Sequence, residues 1–133
     1  MSGASSGITG ARAGGQAMGG SFSTSDEDRN PELRPIRAAQ RKEEVWAEAL
    51  SLAGDLPGWR VLSADEARGE LVCERAGGWL APASRITLTF EGPAGIPSTT
   101  VHARSQSRGG LPGLARDRAR VLELLALLRR RVG

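Results

Sequence analysis

The residues best suited to chemistry stand together near the carboxyl end, in the run Arg104-Ser-Gln-Ser-Arg108. Guanidinium groups and hydroxyls both donate hydrogen bonds to oxyanions. Two glycines and a helix start follow the run, and unpaired N–H groups at a helix start favour negative charge. We therefore predict an anion-binding site formed by Arg104, Ser105, Ser107 and Arg108. The alternative is structural, with the arginines paired to surface acids and the serines capping the turn.

Groups suited to catalysis or metal binding are few. His102 is the only histidine and Cys73 the only cysteine, which excludes a two-histidine metal site, an intramolecular disulfide and a cysteine cluster. Strand alternation places His102 on the solvent side and Cys73 on the core side, where a thiol behaves as a small hydrophobe. No Walker or dinucleotide-binding pattern occurs. We expect no catalytic residues, no metal and no cofactor, and interpret the chain as a non-enzyme.

Four strands must position these residues. The alternation is cleanest in Arg85–Phe90, where Ile86, Leu88 and Phe90 face inward. The four predicted strands are Trp59–Ser63, Leu71–Arg75, Arg85–Phe90 and Thr99–Ser105. The short links between them favour antiparallel pairing.

Two helices are predicted to flank the strands. Ala38–Ala53 has an apolar face that Trp46 and Leu50 broaden, and we interpret Trp46 as a core residue. The residues of that face are Val45, Ala49, Leu52 and Ala53. The C-terminal helix from Leu114 carries an apolar stripe at helical spacing, formed by Leu114, Val121, Leu124, Leu125, Leu128 and Val132. The sequence therefore predicts an α+β fold: a four-stranded antiparallel sheet with an N-terminal and a long C-terminal helix packed on one face.

The C-terminal helix also concentrates positive charge. The whole chain carries +3, but from residue 101 onward eight arginines face only Asp117 and Glu123, a local balance of 8 − 2 = +6. Such asymmetry can steer an anionic partner. It predicts an alternative function as an anion, nucleic-acid or acidic-membrane binder, with Arg116 and Arg120 among the contacts. The competing interpretation is compositional, because almost every basic residue of this chain is an arginine.

A second candidate for contact with a partner is the pair Trp79-Leu80. It follows Gly77-Gly78 in a stretch too short and too glycine- and proline-bounded to form an extended element. We predict that the pair contacts a partner, or alternatively that Trp79 folds back over the sheet edge.

The amino-terminal residues differ in composition from the rest. Residues 1–30 are rich in Gly, Ser, Ala and Thr without a periodic apolar pattern, which predicts a disordered tail ahead of a single domain at 31–133. Neither a signal-peptide pattern nor an apolar stretch of about 20 residues is present. These features favour a cytoplasmic monomer or weak homodimer, with peripheral membrane attachment or organelle targeting as the alternative.

Several motifs together resemble a known family. They are Gly58-Trp59-Arg-Val with Asp65, Gly69 opening a strand, Trp79, Ala103-Arg-Ser-Gln-Ser-Arg-Gly109, and Leu114 through Arg120-Val121 to Leu124-Leu125. Over about Pro35 to Leu128 the chain resembles the bacterial and plastid domain of unknown function 1499 family. The resemblance implies a small α+β domain without an assigned activity, commonly associated with envelopes or thylakoid-type membranes.

The chain departs from that family's pattern at four positions. Ala83 and Ser84 stand where acids are usual, and Gly113 and Asp117 replace an Asp and an Asn at the final helix. Loss of the Asp removes an N-cap, worth about 1 kcal/mol. We expect Asp117, in the first turn, to compensate partly through the helix dipole.

Taken together, these features predict a non-enzymatic interaction or ligand-binding domain. Its partner would be a protein or small ligand, with an anionic partner as one option. The family resemblance extends this to an accessory or assembly factor for an envelope or membrane complex.

Overall fold

The computed structural model describes residues 20–76, 83–107 and 110–132, and for residues 20–21, 107 and 110–116 the backbone alone. The six strands are β1 (Gly20–Ser23), β2 (Ile36–Ala38), β3 (Trp59–Asp65), β4 (Glu70–Arg75), β5 (Ser84–Glu91) and β6 (Thr99–Ser107). The two α-helices are α1 (Lys42–Asp55) and α2 (Gly110–Val132). A short 3-10 turn, Pro31–Leu33, lies between β1 and β2.

All described strand pairs are antiparallel, in the order β1-β6-β5-β4-β3. β2 also pairs with β6, so β1 and β2 lie end to end along the same edge: Phe22 is opposite Ser105, and Ile36 is opposite Val101. The prediction of an α+β fold with an antiparallel sheet is confirmed, but the prediction of four strands is wrong, since the described residues form six. The two missed strands have four and three residues, too few to show alternation.

The core lies between one face of this sheet and both helices. Buried residues alternate along β5, where Ile86, Leu88 and Phe90 are at most 1% exposed. Both helices contribute to the same apolar cluster, whose buried members are Leu33, Ile36, Ala38, Val45, Trp46, Ala49, Leu52, Ala53, Trp59, Leu71, Cys73, Ile86, Leu88, Phe90, Val101, Ala103, Val121, Leu124, Leu125, Leu128 and Val132. The two helices therefore pack on one face, and no helix of the described residues lies on the other face of the sheet.

Helix α1 begins four residues later than the sequence suggested. Pro35 favours extended backbone in its neighbourhood, and Ile36 and Ala38 both enter the core from β2. The helix starts at Lys42, where the side chain of Glu44 accepts a hydrogen bond from the backbone N–H of Arg41 at 3.0 Å. Trp46 lies in the core as predicted and meets Phe90 edge-to-face, with 5.2 Å between ring centroids.

The turn between β3 and β4 depends on Gly69. Its φ of 68° lies in the left-handed region, and a Cβ at this position would lie 2.6 Å from the carbonyl oxygen of Phe90. A larger residue here would disturb the hydrogen bond between Phe90 N and Gly69 O, which is 2.8 Å long. Glycine is therefore required by both conformation and space.

Helix α2 confirms most of the predicted stripe and corrects its beginning. Val121, Leu124, Leu125, Leu128 and Val132 are buried, whereas the side chain of Leu114 lies outside the described residues. The helix begins at Gly110, four residues before the predicted start at Leu114.

This earlier start changes the position of Asp117. It lies seven residues into α2, about two turns along, so the prediction that it stands in the first turn is wrong. The carboxyl group is fully buried, on the face that carries Val121 and Leu124. Asp117 is therefore part of the interior and does not act at the helix start.

The predicted tail also extends too far. β1 falls inside residues 1–30, and Thr24 N donates to the Ala103 carbonyl oxygen at 2.9 Å. Arg34 Nε donates to the Asp28 carbonyl oxygen at 2.8 Å, which ties the same segment down further. A segment of low hydrophobicity is ordered here because a free strand edge supplies its backbone partners. Residues 1–19 lie outside the described residues.

Candidate functional site: the open face of the sheet

The face of the sheet opposite the helices is polar, and we call it the open face. It carries the alternate residues of each strand, including Arg37 in β2, Arg60 and Ser63 in β3, Glu70, Val72 and Glu74 in β4, Arg85, Thr87, Thr89 and Glu91 in β5, and Thr100, His102, Arg104 and Gln106 in β6. No element in the described part of the chain covers these side chains. Antiparallel sheets commonly leave one face in contact with solvent.

Most cations of the open face are already paired. Arg37 forms two 2.9 Å hydrogen bonds to the carboxylate of Asp26. In β4, Glu74 lies 2.7 Å from Arg60 and 4.0 Å from Arg85. Among the four arginines that the described strands place on this face, Arg104 alone forms no ion pair. It is exposed, so its guanidinium group is available to a negatively charged ligand.

A shallow concavity of about 220 Å³ lies beside Arg104. Apart from Ala103, its lining is made of hydroxyl-bearing and basic side chains from the end of β1 and from β5 and β6. The lining residues are Ser23, Thr24, Thr87, Thr89, His102, Ala103 and Arg104. The concavity lies beside the part of β6 that pairs with neither β1 nor β2. This part falls between residues 99–101, which pair with β2, and residues 104–107, which pair with β1. Thr24 closes this gap, because its Oγ1 accepts from Ala103 N at 3.0 Å and donates to the Ala103 carbonyl oxygen at 3.3 Å.

Strand register puts hydroxyls on both sides of the free arginine. Ser23 of β1 and Thr87 of β5 are the two direct cross-strand partners of Arg104. Directly opposed residues have Cβ atoms about 5 Å apart. Neither hydroxyl forms a hydrogen bond within the described part of the chain, so both are free to donate to a ligand held over Arg104.

The next cross-strand pair on the open face, Thr89 and His102, adds an imidazole to the site, and a carboxylate contacts that imidazole. His102 is the cross-strand partner of Thr89, and its Nε2 lies 3.2 Å from Glu91 Oε1. An ionised carboxylate only accepts, so Nε2 carries the hydrogen and donates it. No described hydroxyl is hydrogen-bonded to His102, so the nucleophile and base pairing that covalent catalysis requires is not assembled here.

The predicted anion-binding residues do not share one face. Arg104 is exposed on the open face, whereas its neighbour Ser105 is completely buried on the helix side, opposite Ile86. The side chain of Ser107 and all of Arg108 lie outside the described residues. Of the four, Arg104 is therefore the one that the structure places in the concavity. Sequence reasoning missed Ser23 and Thr24, which no motif marks, although Thr87 and Thr89 were recognisable as outward-facing residues of β5.

The arginines of α2 are largely engaged within the molecule. Arg129 donates to the carbonyl oxygens of Glu32, Arg34 and Pro31, at 2.6, 2.7 and 3.2 Å. Burial lowers the pKa of this guanidinium below its ordinary value, and the nearby Glu32 partly opposes the shift. Its role is to hold the 3-10 turn against the helix end.

Two further arginines of α2 have carboxylate partners. Arg131 lies 3.6 Å from Glu48, and Arg120 lies 3.7 Å from Glu123. Arg118 and Arg130 are exposed, and neither forms an ion pair with another described residue. They are twelve residues apart, which separates them by about 18 Å along the axis and 120° around it. The described part of α2 therefore offers no continuous basic stripe.

The remaining predicted contact residues are for the most part not described by the structure. Trp79 and Leu80 lie outside the described residues, as does the side chain of Arg116. Cys73 is fully buried, and burial raises the pKa of its thiol from 9.0 to about 11. No group of three or more His, Cys, Asp or Glu side chains suited to a metal ion occurs within the described ranges.

The fold and the open face define a small α+β domain that presents a polar sheet surface. The chain belongs to the family described as "Protein of unknown function (DUF1499)", whose profile matches residues 17–128. This match starts before β1 and ends in the last turns of α2, and it agrees with the resemblance expected from the motifs. A search of the curated proteins found no match to the chain. No helix in the described ranges is long and apolar enough to cross a membrane.

Proposed function

We propose that this protein is a non-enzymatic ligand-binding domain that holds its ligand on the open face, at the concavity beside Arg104. The observation that carries the proposal is that the guanidinium of Arg104 forms no ion pair with another described residue. The other open-face arginines of the described strands have carboxylate partners, whereas Arg104 has two free hydroxyls as cross-strand neighbours. An unpaired cation among hydrogen-bond donors is complementary to a negatively charged group.

Binding is favoured over catalysis by the composition of the site. The concavity is open to solvent, and its imidazole is held by Glu91 without a hydroxyl partner. Catalytic groups need mutual contacts that position a nucleophile, a base and an oxyanion site. An accessory role at an envelope or membrane complex is compatible with this proposal, since such a factor holds a ligand or partner without converting it.

The alternative site on α2 is less well supported. Arg120, Arg129 and Arg131 are engaged with groups of the same molecule. Binding through a basic helix requires several free cations on one side, because each phosphate contact adds its own share of affinity. Arg118 and Arg130 do not meet that requirement.

The proposal is tested by screening small molecules of negative, neutral and positive charge against matched variants. We expect the compounds that bind to be anionic, and we expect Arg104→Gln to abolish their binding in calorimetry. Arg85→Gln, on the same face, and Arg130→Gln, on α2, serve as controls and should retain it. Loss of binding in Arg130→Gln with retention in Arg104→Gln would place the site on α2 and refute the proposal.

A further inference from the structure

We propose that the group recognised beside Arg104 is a tetrahedral oxyanion, the phosphate or sulfate monoester of a small water-soluble molecule with an uncharged body. This inference rests on the proposed function, because it assumes that the open face binds a ligand and specifies the chemistry of that ligand. It is drawn from the arrangement of donors and acids around the concavity.

The donors around Arg104 come from three neighbouring strands, β1, β6 and β5. The planar fork of a guanidinium group uses two of the about four lone-pair sites of a carboxylate, and the remaining sites lie in the carboxylate plane. A sulfate or phosphate ester has a third terminal oxygen out of that plane and therefore offers more acceptor sites to further donors. Ser23 and Thr87 add a hydroxyl on each side of Arg104, on neighbouring strands. These strands lie two spacings apart, roughly 10 Å. An anion bound between the two hydroxyls accepts a hydrogen bond from each of them on opposite sides, and it also accepts hydrogen bonds from the guanidinium of Arg104. A tetrahedral group, whose oxygens point in several directions, suits this arrangement.

The concavity has room for more than a free ion. Its volume of about 220 Å³ exceeds the share of liquid volume of one water molecule, about 30 Å³, several times over. It is also smaller than the pockets that hold drug-sized ligands, which start at about 300 Å³. A small ester therefore fits, with its body extending from the charged group toward Thr89 and His102.

Acidic residues near one end of the concavity indicate how the ligand is oriented and that its body is uncharged. Glu91 contacts His102, and Glu70 of β4 is the cross-strand partner of Thr89. A second negative charge on the ligand would be repelled at this end of the site. The charged group therefore lies at the end of Ser23 and Arg104, and the rest of the ligand is neutral and hydrogen-bonding.

The polar lining also favours a water-soluble ester over a phosphorylated lipid headgroup. Apart from Ala103, every lining residue carries a hydroxyl, imidazole or guanidinium group. The exposed large apolar residues of the described chain are Leu50, Leu62 and Ile96, and none of them lines the concavity. A phosphorylated lipid headgroup would be presented together with an apolar surface, for which this lining provides no complement.

The test uses four probes with one sugar body: glucose 6-phosphate, glucose 6-sulfate, glucuronate and glucose. Affinities are measured by NMR titration at constant ionic strength. We expect the sulfate ester to bind at least ten-fold more tightly than glucuronate, since each added hydrogen bond to a charged group is worth about ten-fold or more. The sulfate and the carboxylate carry equal charge, so this comparison isolates geometry. Glucose should not bind.

Variants assign the difference to the flanking hydroxyls. The double variant Ser23→Ala with Thr87→Val should reduce the affinity for glucose 6-sulfate to the level of glucuronate and leave glucuronate unchanged. The affinity for glucose 6-phosphate should fall by a similar factor, although its larger charge keeps it above that level. Equal binding of glucuronate and glucose 6-sulfate would overturn the inference while the proposed function stands. Absence of anion binding at residues 102–104 would refute the proposed function as well.

Vesicles test whether the ligand is a soluble ester or a lipid headgroup. Vesicles of phosphatidylcholine with phosphatidic acid should not bind the protein. Binding to them in preference to glucose 6-phosphate would overturn the inference that the ligand is water-soluble.

Discussion

Ser23 of β1 is the direct cross-strand partner of Arg104 in β6, so a four-residue strand from the amino-terminal region forms one wall of the open-face site. The same strand places Phe22 against the core on the other side of the sheet. The strand β1 therefore links stability to the ligand binding that we propose. A change that removes this strand affects both properties.

Truncation tests this link. Removal of residues 1–25 should lower the free energy of unfolding by roughly 3 kcal/mol, because it deletes the β1 hydrogen bonds and the partly buried Phe22. The expected fall in Tm is about 10–20 °C for a domain of this size. Removal of residues 1–19 alone is the matched control, since it leaves the strand in place. An unchanged Tm after removal of residues 1–25 would show that β1 contributes nothing to the fold.

The apolar stripe of α2 gives a second prediction. Leu125 is completely buried, so Leu125→Asp should destabilise the domain by about 4 kcal/mol or more, since an unpaired charge would enter the core. Leu50, at 36% exposure on α1, provides the control: Leu50→Asp should change stability by less than about 1 kcal/mol. Thermal unfolding followed by circular dichroism measures both. Equal effects of the two substitutions would contradict the placement of the stripe.

Arg129 is predicted to stabilise the fold through hydrogen bonds and not through its charge. It donates to three carbonyl oxygens around the 3-10 turn. Arg129→Ala should cost about 2 kcal/mol in urea unfolding, and Arg129→Lys should restore only part of that loss, because an ammonium group lacks the planar fork. The exposed Arg130, substituted by alanine, should have little effect. Full rescue by lysine would show that charge alone matters.

The buried thiol of Cys73 makes stability depend on pH. Its folded pKa, about 11, lies above its ordinary value of 9.0, so the unfolded chain loses its proton first as the pH rises. The contribution of the thiol is complete below pH 9 and is lost between about pH 9 and 11, for a total near 3 kcal/mol. Chemical unfolding from pH 8 to 11 should show this loss in the native sequence and a smaller one in Cys73→Ala. Identical profiles for the two proteins would contradict it.

Much of the architecture was predictable because the long elements carry complete periodic patterns. Ile86, Leu88 and Phe90 mark the inner face of β5, and Leu124, Leu125 and Leu128 mark α2. The strands β1 and β2 were missed for a physical reason. Each is held by the edge of β6, and three or four residues contain too little sequence to indicate such a long-range partner.

The candidate site was predictable only in part. Arg104 could be selected from the sequence, but grouping it with Ser105 ignored the alternation that sends adjacent strand residues to opposite faces. Thr87 could have been found by pairing the outward residues of β5 and β6. Ser23 could not, because its position depends on the register of β1 against β6. The pairing of the α2 arginines with distant groups, such as Arg131 with Glu48, also requires the folded structure.

The most direct test of the open-face site is an NMR map of amide shifts on titration with inorganic phosphate. We predict that the shifted amides cluster at residues 87–89 and 102–104, and that Arg104→Gln removes these shifts while Arg85→Gln preserves them. Shifts centred on α2 near Arg118 or Arg130, or shifts that survive in Arg104→Gln, would contradict the assignment of the site to the open face.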